Sequence, residues 1–170
     1  MDHTGFLFSR KARGPSTASG DANTGQPLTE PQKHEFTNVW RASFTPDGKR
    51  MIVITNASQE IPAWNLAGGT LDFEITNTNE YLQRLTIGPQ GNWAAIATPD
   101  KILLVNLETG KLHETKPLLP GKFSEENRYY NATLSFSPAS ELLLAHRGKH
   151  VQVWEMDSLK PVFAPLTQQS

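Results

Sequence analysis

The sequence predicts an all-β chain: three four-stranded antiparallel units in succession, preceded by one extra outer strand. Three observations predict it. A hairpin signal occurs three times, in "RASFTPDGKRMIVIT", "RLTIGPQGNWAAIAT" and "TLSFSPASELLLAHR". A second anchor follows each copy, in "AWNLAGG", "LVNLETG" and "VWEMDSL". No segment carries a sustained helical period.

The hairpins align on Pro46, Pro89 and Pro138, which lie 43 and 49 residues apart. Pro fixes φ at the first corner of a tight turn, and Gly tolerates positive φ at its end. Gly48, Gly91 and Ser140 hold that second place. An aromatic or β-branched residue stands two positions before each Pro (Phe44, Ile87, Phe136), and a hydroxyl three before it (Ser43, Thr86, Ser135). The second anchors, Trp64, Val105 and Trp154, follow the Pro residues by 18, 16 and 16 positions. Each ends an apolar strand before a turn of the "ETGK" kind, a tight hairpin signal.

The strands follow in order. The first unit is expected at 39–45, 50–55, 60–65 and 70–75, and the second at 82–87, 93–98, 101–106 and 111–115. The third is expected at 131–136, 141–146, 150–155 and 160–164. The second strand of each unit is apolar on successive residues ("MIVI", "WAAIA", "LLLA"), which suits burial on both faces. The recurring Ser43, Thr86 and Ser135 read as small packing residues where neighbouring units approach. Trp64 and Trp154 are expected at equivalent third-strand positions.

A repeat of about 40–45 residues made of four strands is the signature of a propeller blade. The units resemble WD-repeat (Trp-Asp repeat) β-propellers, particularly the bacterial kind in which "FSPDGK" and "WDxxTG" alternate. The resemblance covers about residues 20–166. The repeats are degenerate: Asn65, Asn106 and Glu155 replace the Asp that follows Trp, and the Gly-His dipeptide is absent. The resemblance implies a structural network for which His34, Thr55 and Trp64 are candidates, with Trp154 the equivalent anchor of the third unit. "DANTGQPL" aligns with "NLETGKL", Thr24-Gly25 over Thr109-Gly110, and reads as the tail of a further unit, with Asp21 in the place of the missing Asp. The chain therefore reads as beginning inside a propeller.

The expected organisation is a disordered or atypical segment at 1–19, then a remnant outer strand and connection at 20–38. Blade 1 follows at 39–80, blade 2 at 81–120, an inserted loop at 121–130 and blade 3 at 131–170. With three blades in an open arc, the outer faces of the first and third carry core residues without a neighbour. The chain is accordingly expected to be marginally stable or to self-associate, a fragment of a larger propeller ranking above a dedicated dimer.

Composition narrows the function classes. Net charge is −1 with 19% charged residues, so no global pull toward nucleic acid or anionic membrane is expected. The absence of cysteine removes disulfides, a thiolate nucleophile and Cys-ligated metal sites, and agrees with a cytoplasmic location. No apolar run approaches the roughly 20 residues of a membrane helix. His146 and His150 flank a β-turn, which reads as a solvated basic hairpin tip. His113-Glu114 is the other close ligand-type pair. Glu125 and Glu126 diverge on an extended chain, whereas acid/base catalysis needs convergent groups. Neither cofactor nor metal is expected, and no enzymatic activity.

The resemblance implies a protein-interaction scaffold, with other proteins as partners. The alternatives are a non-catalytic fragment of a propeller enzyme or regulatory sensor domain, or a truncated product without independent function. Candidate partner-binding residues are Phe123, Arg128, Tyr129 and Tyr130 on the long connection "LLPGKFSEENRYYNA". Phe36, Trp40, Arg41 and Arg84 join them near the starts of inner strands. Aromatic and Arg side chains of this kind are enriched at interfaces.

Overall fold

The computed structural model describes residues 4–7, 16–21, 24, 26, 32–33, 39–55, 60–76, 81–99, 101–114, 132–147 and 149–167. Its first sheet departs from the sequence reading. Strands β1 (Thr4–Leu7), β2 (Ser16–Asp21) and β3 (Gln32–Lys33) form a three-stranded antiparallel sheet in that order. Strands thus form within 1–19, where a disordered or atypical segment was expected, and the sheet exceeds a single remnant strand. "STASGD" has a single β-branched residue, Thr17, and no aromatic, too little to betray a strand. The proposed alignment is nonetheless visible: Gln26 N donates to Thr24 Oγ1 at 3.3 Å, as Lys111 N does to Thr109 Oγ1 at 3.3 Å.

Blade 1 comprises β4 (Val39–Phe44), β5 (Arg50–Thr55), β6 (Ile61–Asn65) and β7 (Thr70–Ile75). Blade 2 comprises β8 (Arg84–Ile87), β9 (Trp93–Ala97), β10 (Ile102–Asn106) and β11 (Leu112–Glu114). Both are antiparallel meanders, as expected. Blade 3 runs through β12 (Thr133–Phe136), β13 (Leu142–Arg147) and β14 (His150–Glu155), but its outer strand is split. β15 (Lys160–Pro161) and β16 (Leu166–Thr167) both pair with β14. Pro161 and Pro165 lack the N–H a continuous ladder needs. The break is bridged by Val162 N to Val153 O at 2.9 Å and by the buried Gln152 side chain, whose Nε2 donates to Phe163 O at 2.6 Å.

The repeat is reproduced bond by bond. Leu66 N donates to Lys49 O, Leu107 N to Asn92 O and Met156 N to Glu141 O, each at 2.8 Å. Gly48, Gly91 and Ser140 all have positive φ, and so do Gly69, Gly110 and Leu159 in the outer turns. The third blade therefore holds non-glycine residues at both left-handed positions. The replaced Asp is explained by the outer turn, which needs an acceptor oxygen at that place. Asn65 Oδ1 accepts from Ala67 N at 3.0 Å, and Asn106 Oδ1 accepts from Thr109 N at 2.9 Å. An Asn carbonyl fulfils this role as well as a carboxylate.

Blade 2 is buried on both faces by strict alternation. Ala94, Ile96, Leu103 and Val105 pack with Ile52, Ile54, Ile61 and Ala63 of blade 1. Ala95, Ala97, Ile102 and Leu104 pack with Leu143, Ala145, Trp154 and Met156 of blade 3. Each large aliphatic residue so buried contributes roughly 1.5–3 kcal/mol, and the two seams hold the arc together. By register, Ser43 lies opposite Ile52 and Thr86 opposite Ala95, on the faces turned to the next blade, and both are half-buried. Ser135, opposite Leu144, is exposed.

The two ends of the arc differ. The face of blade 1 away from blade 2 was expected to be open, yet Met51 and Val53 on it are buried. The corresponding face of blade 3 is open. Leu142 and Leu144 are 39% and 37% exposed. Counting from the aligned Pro residues, Leu144, Val151 and Val153 occupy the places of Ala95, Ile102 and Leu104, the residues blade 2 uses to hold blade 3.

Candidate functional site

The inner strands β4, β8 and β12 lie side by side along the inner edge of the arc. At its first residues β4 slips register between Val39 and Arg41, so Trp40 is the extra residue of a β-bulge. Bulges re-aim side chains, and Trp40 is 50% exposed. Its indole is held in place: Nε1 donates to Gln83 O at 3.4 Å, and Arg41 Nε donates to the same carbonyl at 3.3 Å. One backbone acceptor ahead of β8 thus fixes two neighbouring side chains of β4.

Arg41 and Arg84 then meet in one groove. Both stand five residues before their Pro, and with Leu85, Thr86, Thr133 and Leu134 they line a cavity of about 340 Å³. Thr133 is the equivalent residue of the third blade. Among the described residues, the lining therefore combines two guanidinium groups, two hydroxyls and two leucines, with no carboxylate.

The other expected residues fall into three groups. Trp40, Arg41 and Arg84 come together as described. Trp64 and Trp154 do occupy equivalent places, each the penultimate residue of a third strand. Trp154 is buried in the seam with blade 2, whereas Trp64 is half-buried, opposite Met51 in register. Thr55 shares that face of blade 1; its hydroxyl accepts from Glu60 N at 3.4 Å and closes the β5–β6 turn. Thr98 does the same in blade 2, accepting from Lys101 N at 3.1 Å. His34, Phe36, Phe123, Arg128, Tyr129 and Tyr130 lie outside the described residues.

The ligand-type residues are occupied locally. The His113 ring meets Trp93 edge-on with centroids 5.6 Å apart, and His150 Nδ1 lies 3.0 Å from Thr167 Oγ1. Among the described residues, no three His, Cys, Asp or Glu side chains gather in metal-binding geometry. No helix among them is long and apolar enough to cross a membrane.

Several structural residues escape a reading of the sequence. Arg147 donates Nη2 to Thr98 O at 2.7 Å and Nη1 to Pro99 O, clamping the β9–β10 turn from blade 3. Arg50 pairs with Asp72 at 2.6 Å and donates Nη1 to Leu107 O at 3.2 Å, linking blade 1 to blade 2. Backbone acceptors leave no signature in the sequence, so these partners could not be read from it.

No family model and no curated protein matches this sequence. Among solved structures, it is similar to the β-propeller domain of Cps50 (Swd1) from Myceliophteria thermophila, with a TM-score of 0.70 and 15% identity. The match covers 98% of this chain and 57% of that one, so the chain spans little more than half the length of the domain it resembles. At that identity the likeness shows the fold: this chain is an all-β, partial β-propeller.

Proposed function

We propose that the chain is a non-catalytic protein-interaction scaffold of WD-repeat type, or the segment of one, located in the cytoplasm. The observation that carries this reading is Trp40, set out of its strand by a bulge beside Arg41, with Arg84 near it at the inner edge of the arc. An exposed Trp beside half-buried Arg side chains combines the residue types that anchor protein partners. The proposal includes Phe36 and the aromatic-rich connection bearing Phe123, Arg128, Tyr129 and Tyr130. Partners are other proteins rather than nucleic acid or membrane, in keeping with the net charge of −1. No cofactor or metal is required.

A second reading rests on blade 3. On its open face Leu144, Val151 and Val153 repeat three of the positions with which blade 2 holds blade 3, while His146 stands in the place of Ala97. This supports a segment of a larger ring, or self-association that covers the same face.

The test is quantitative affinity capture from the source cells with wild type, Trp40→Ala, and the triple variant Phe123→Ala, Tyr129→Ala and Tyr130→Ala. One partner captured by wild type and weakened by both variants, with unchanged circular dichroism, supports the scaffold. A partner retained equally by all three contradicts it.

A further inference from the structure

We propose that the groove between β8 and β12 binds a glutamate-rich extended segment of a partner, one carboxylate lying between Arg41 and Arg84; this rests on the scaffold reading. Two guanidinium groups lining one cavity repel each other, and an oxyanion between them turns that repulsion into two charge-assisted hydrogen bonds. A guanidinium carries five N–H donors. Arg41 commits its Nε to Gln83 O, which orients the rest of the group. Among the described residues no hydrogen bond holds the Arg84 side chain. Thr86 and Thr133 add hydroxyls on the same lining. At about 340 Å³ the cavity is at the lower end of ligand-site sizes. It suits one acidic side chain with its stretch of backbone. Leu85 and Leu134 are committed to the seams on either side of blade 2, so the choice between a free anion and a peptide rests on extent. The lining reaches across three inner strands, from Arg41 to Thr133, which is more than a single phosphate fills and suits a side chain carried on extended backbone.

The experiment is fluorescence anisotropy at low salt, where exposed charges are least screened. The probe is a fluorescein-labelled peptide of alternating Glu and Gly; unlabelled peptide, a phosphoserine version and inorganic phosphate serve as competitors. Arg41→Gln with Arg84→Gln should weaken binding by about a hundredfold, and Arg84→Gln alone by about tenfold. Lys49→Gln and Lys149→Gln, on exposed hairpins, should change it by less than about twofold. Arg84→Gln breaks no described hydrogen bond and keeps the test decisive if Arg41→Gln fails to fold. Unchanged binding in Arg84→Gln, equal losses in the lysine variants, or displacement by phosphate as effective as by the peptide would each overturn the proposal. So would preferred binding of the phosphoserine version. A partner captured equally by wild type and the double Arg variant, yet lost with Trp40→Ala, would overturn the groove's ligand and leave the scaffold standing.

Discussion

The hydroxyl of Ser140 accepts a hydrogen bond from Gln90 N at 3.0 Å, tying the turn of blade 3 to that of blade 2. Ser140 holds positive φ, 58°, where the other two blades place glycine. A side chain is tolerated there because it gains a partner across the seam. The same contact explains Gly88: a Cβ on it would stand 2.9 Å from Ser140 Oγ. Ser140→Ala keeps the strained backbone and loses the acceptor, so it should cost about 1 kcal/mol. Ser140→Gly relieves the strain while losing the same bond, and should fall within about 1 kcal/mol of wild type. Urea unfolding of both checks the order; an alanine variant as stable as wild type would show that the bond adds nothing.

Gly110 sits in a tight outer turn. Its φ is +67°, and an added Cβ would lie 3.0 Å from Cγ of Phe73, which packs on the seam between blades 1 and 2. Gly110→Ala should therefore lower stability by about 1–3 kcal/mol, combining backbone strain with displacement of Phe73. A thermal melt indistinguishable from wild type would refute the close approach.

Arg147 should act as a clamp between blades 2 and 3. Arg147→Met keeps much of the side chain's length but removes both donors from the Thr98 and Pro99 carbonyls. A loss of about 1.5–3 kcal/mol is expected, with faster hydrogen exchange concentrated in the β9–β10 turn. Uniform acceleration across all three blades would contradict a local clamp.

Asp47 carries a pH dependence. The Thr45 hydroxyl, donating at 2.6 Å, and then Lys49 N at 3.0 Å hold its carboxyl below the usual range. A carboxylate whose folded value is lowered contributes stability that is present above its unfolded value, about 4. That contribution is lost as pH falls through the folded value. Asp47→Asn should flatten this part of the stability profile below about pH 4. Melts of the two proteins across that window check it, and parallel profiles would count against the turn network.

Most of the blade architecture is legible in the sequence, because it rests on turns that demand particular residues. Pro46, Pro89 and Pro138, with Gly48, Gly91 and Ser140, mark the inner hairpins, and each second strand carries an apolar run, "MIVI", "WAAIA" or "LLLA". β2 was hidden, since a Ser/Thr/Ala/Gly run with one β-branched residue has no apolar alternation and forms a strand by backbone pairing. The split outer strand of blade 3 was signalled by Pro161 and Pro165, a cue that outweighs the apolar "VFA" between them. The site was partly legible: Arg41 and Arg84 stand at one repeat position, but the bulge that turns Trp40 outward depends on the β4–β5 register. Burial of Met51 and Val53 was likewise invisible, because sequence alone does not say which end of an arc is covered.

The open face of blade 3 tests the central claim most directly, that this chain is an arc of a propeller whose last blade lacks its neighbour. Light scattering over a concentration series, coupled to a thermal melt, is the measurement. Exposed Leu142, Leu144 and Leu166 on one sheet add to the apolar surface soluble monomers seldom leave open. A mass that rises with concentration, or a low and poorly cooperative melt, is expected. A monodisperse monomer that unfolds in a single cooperative transition at high temperature would contradict it.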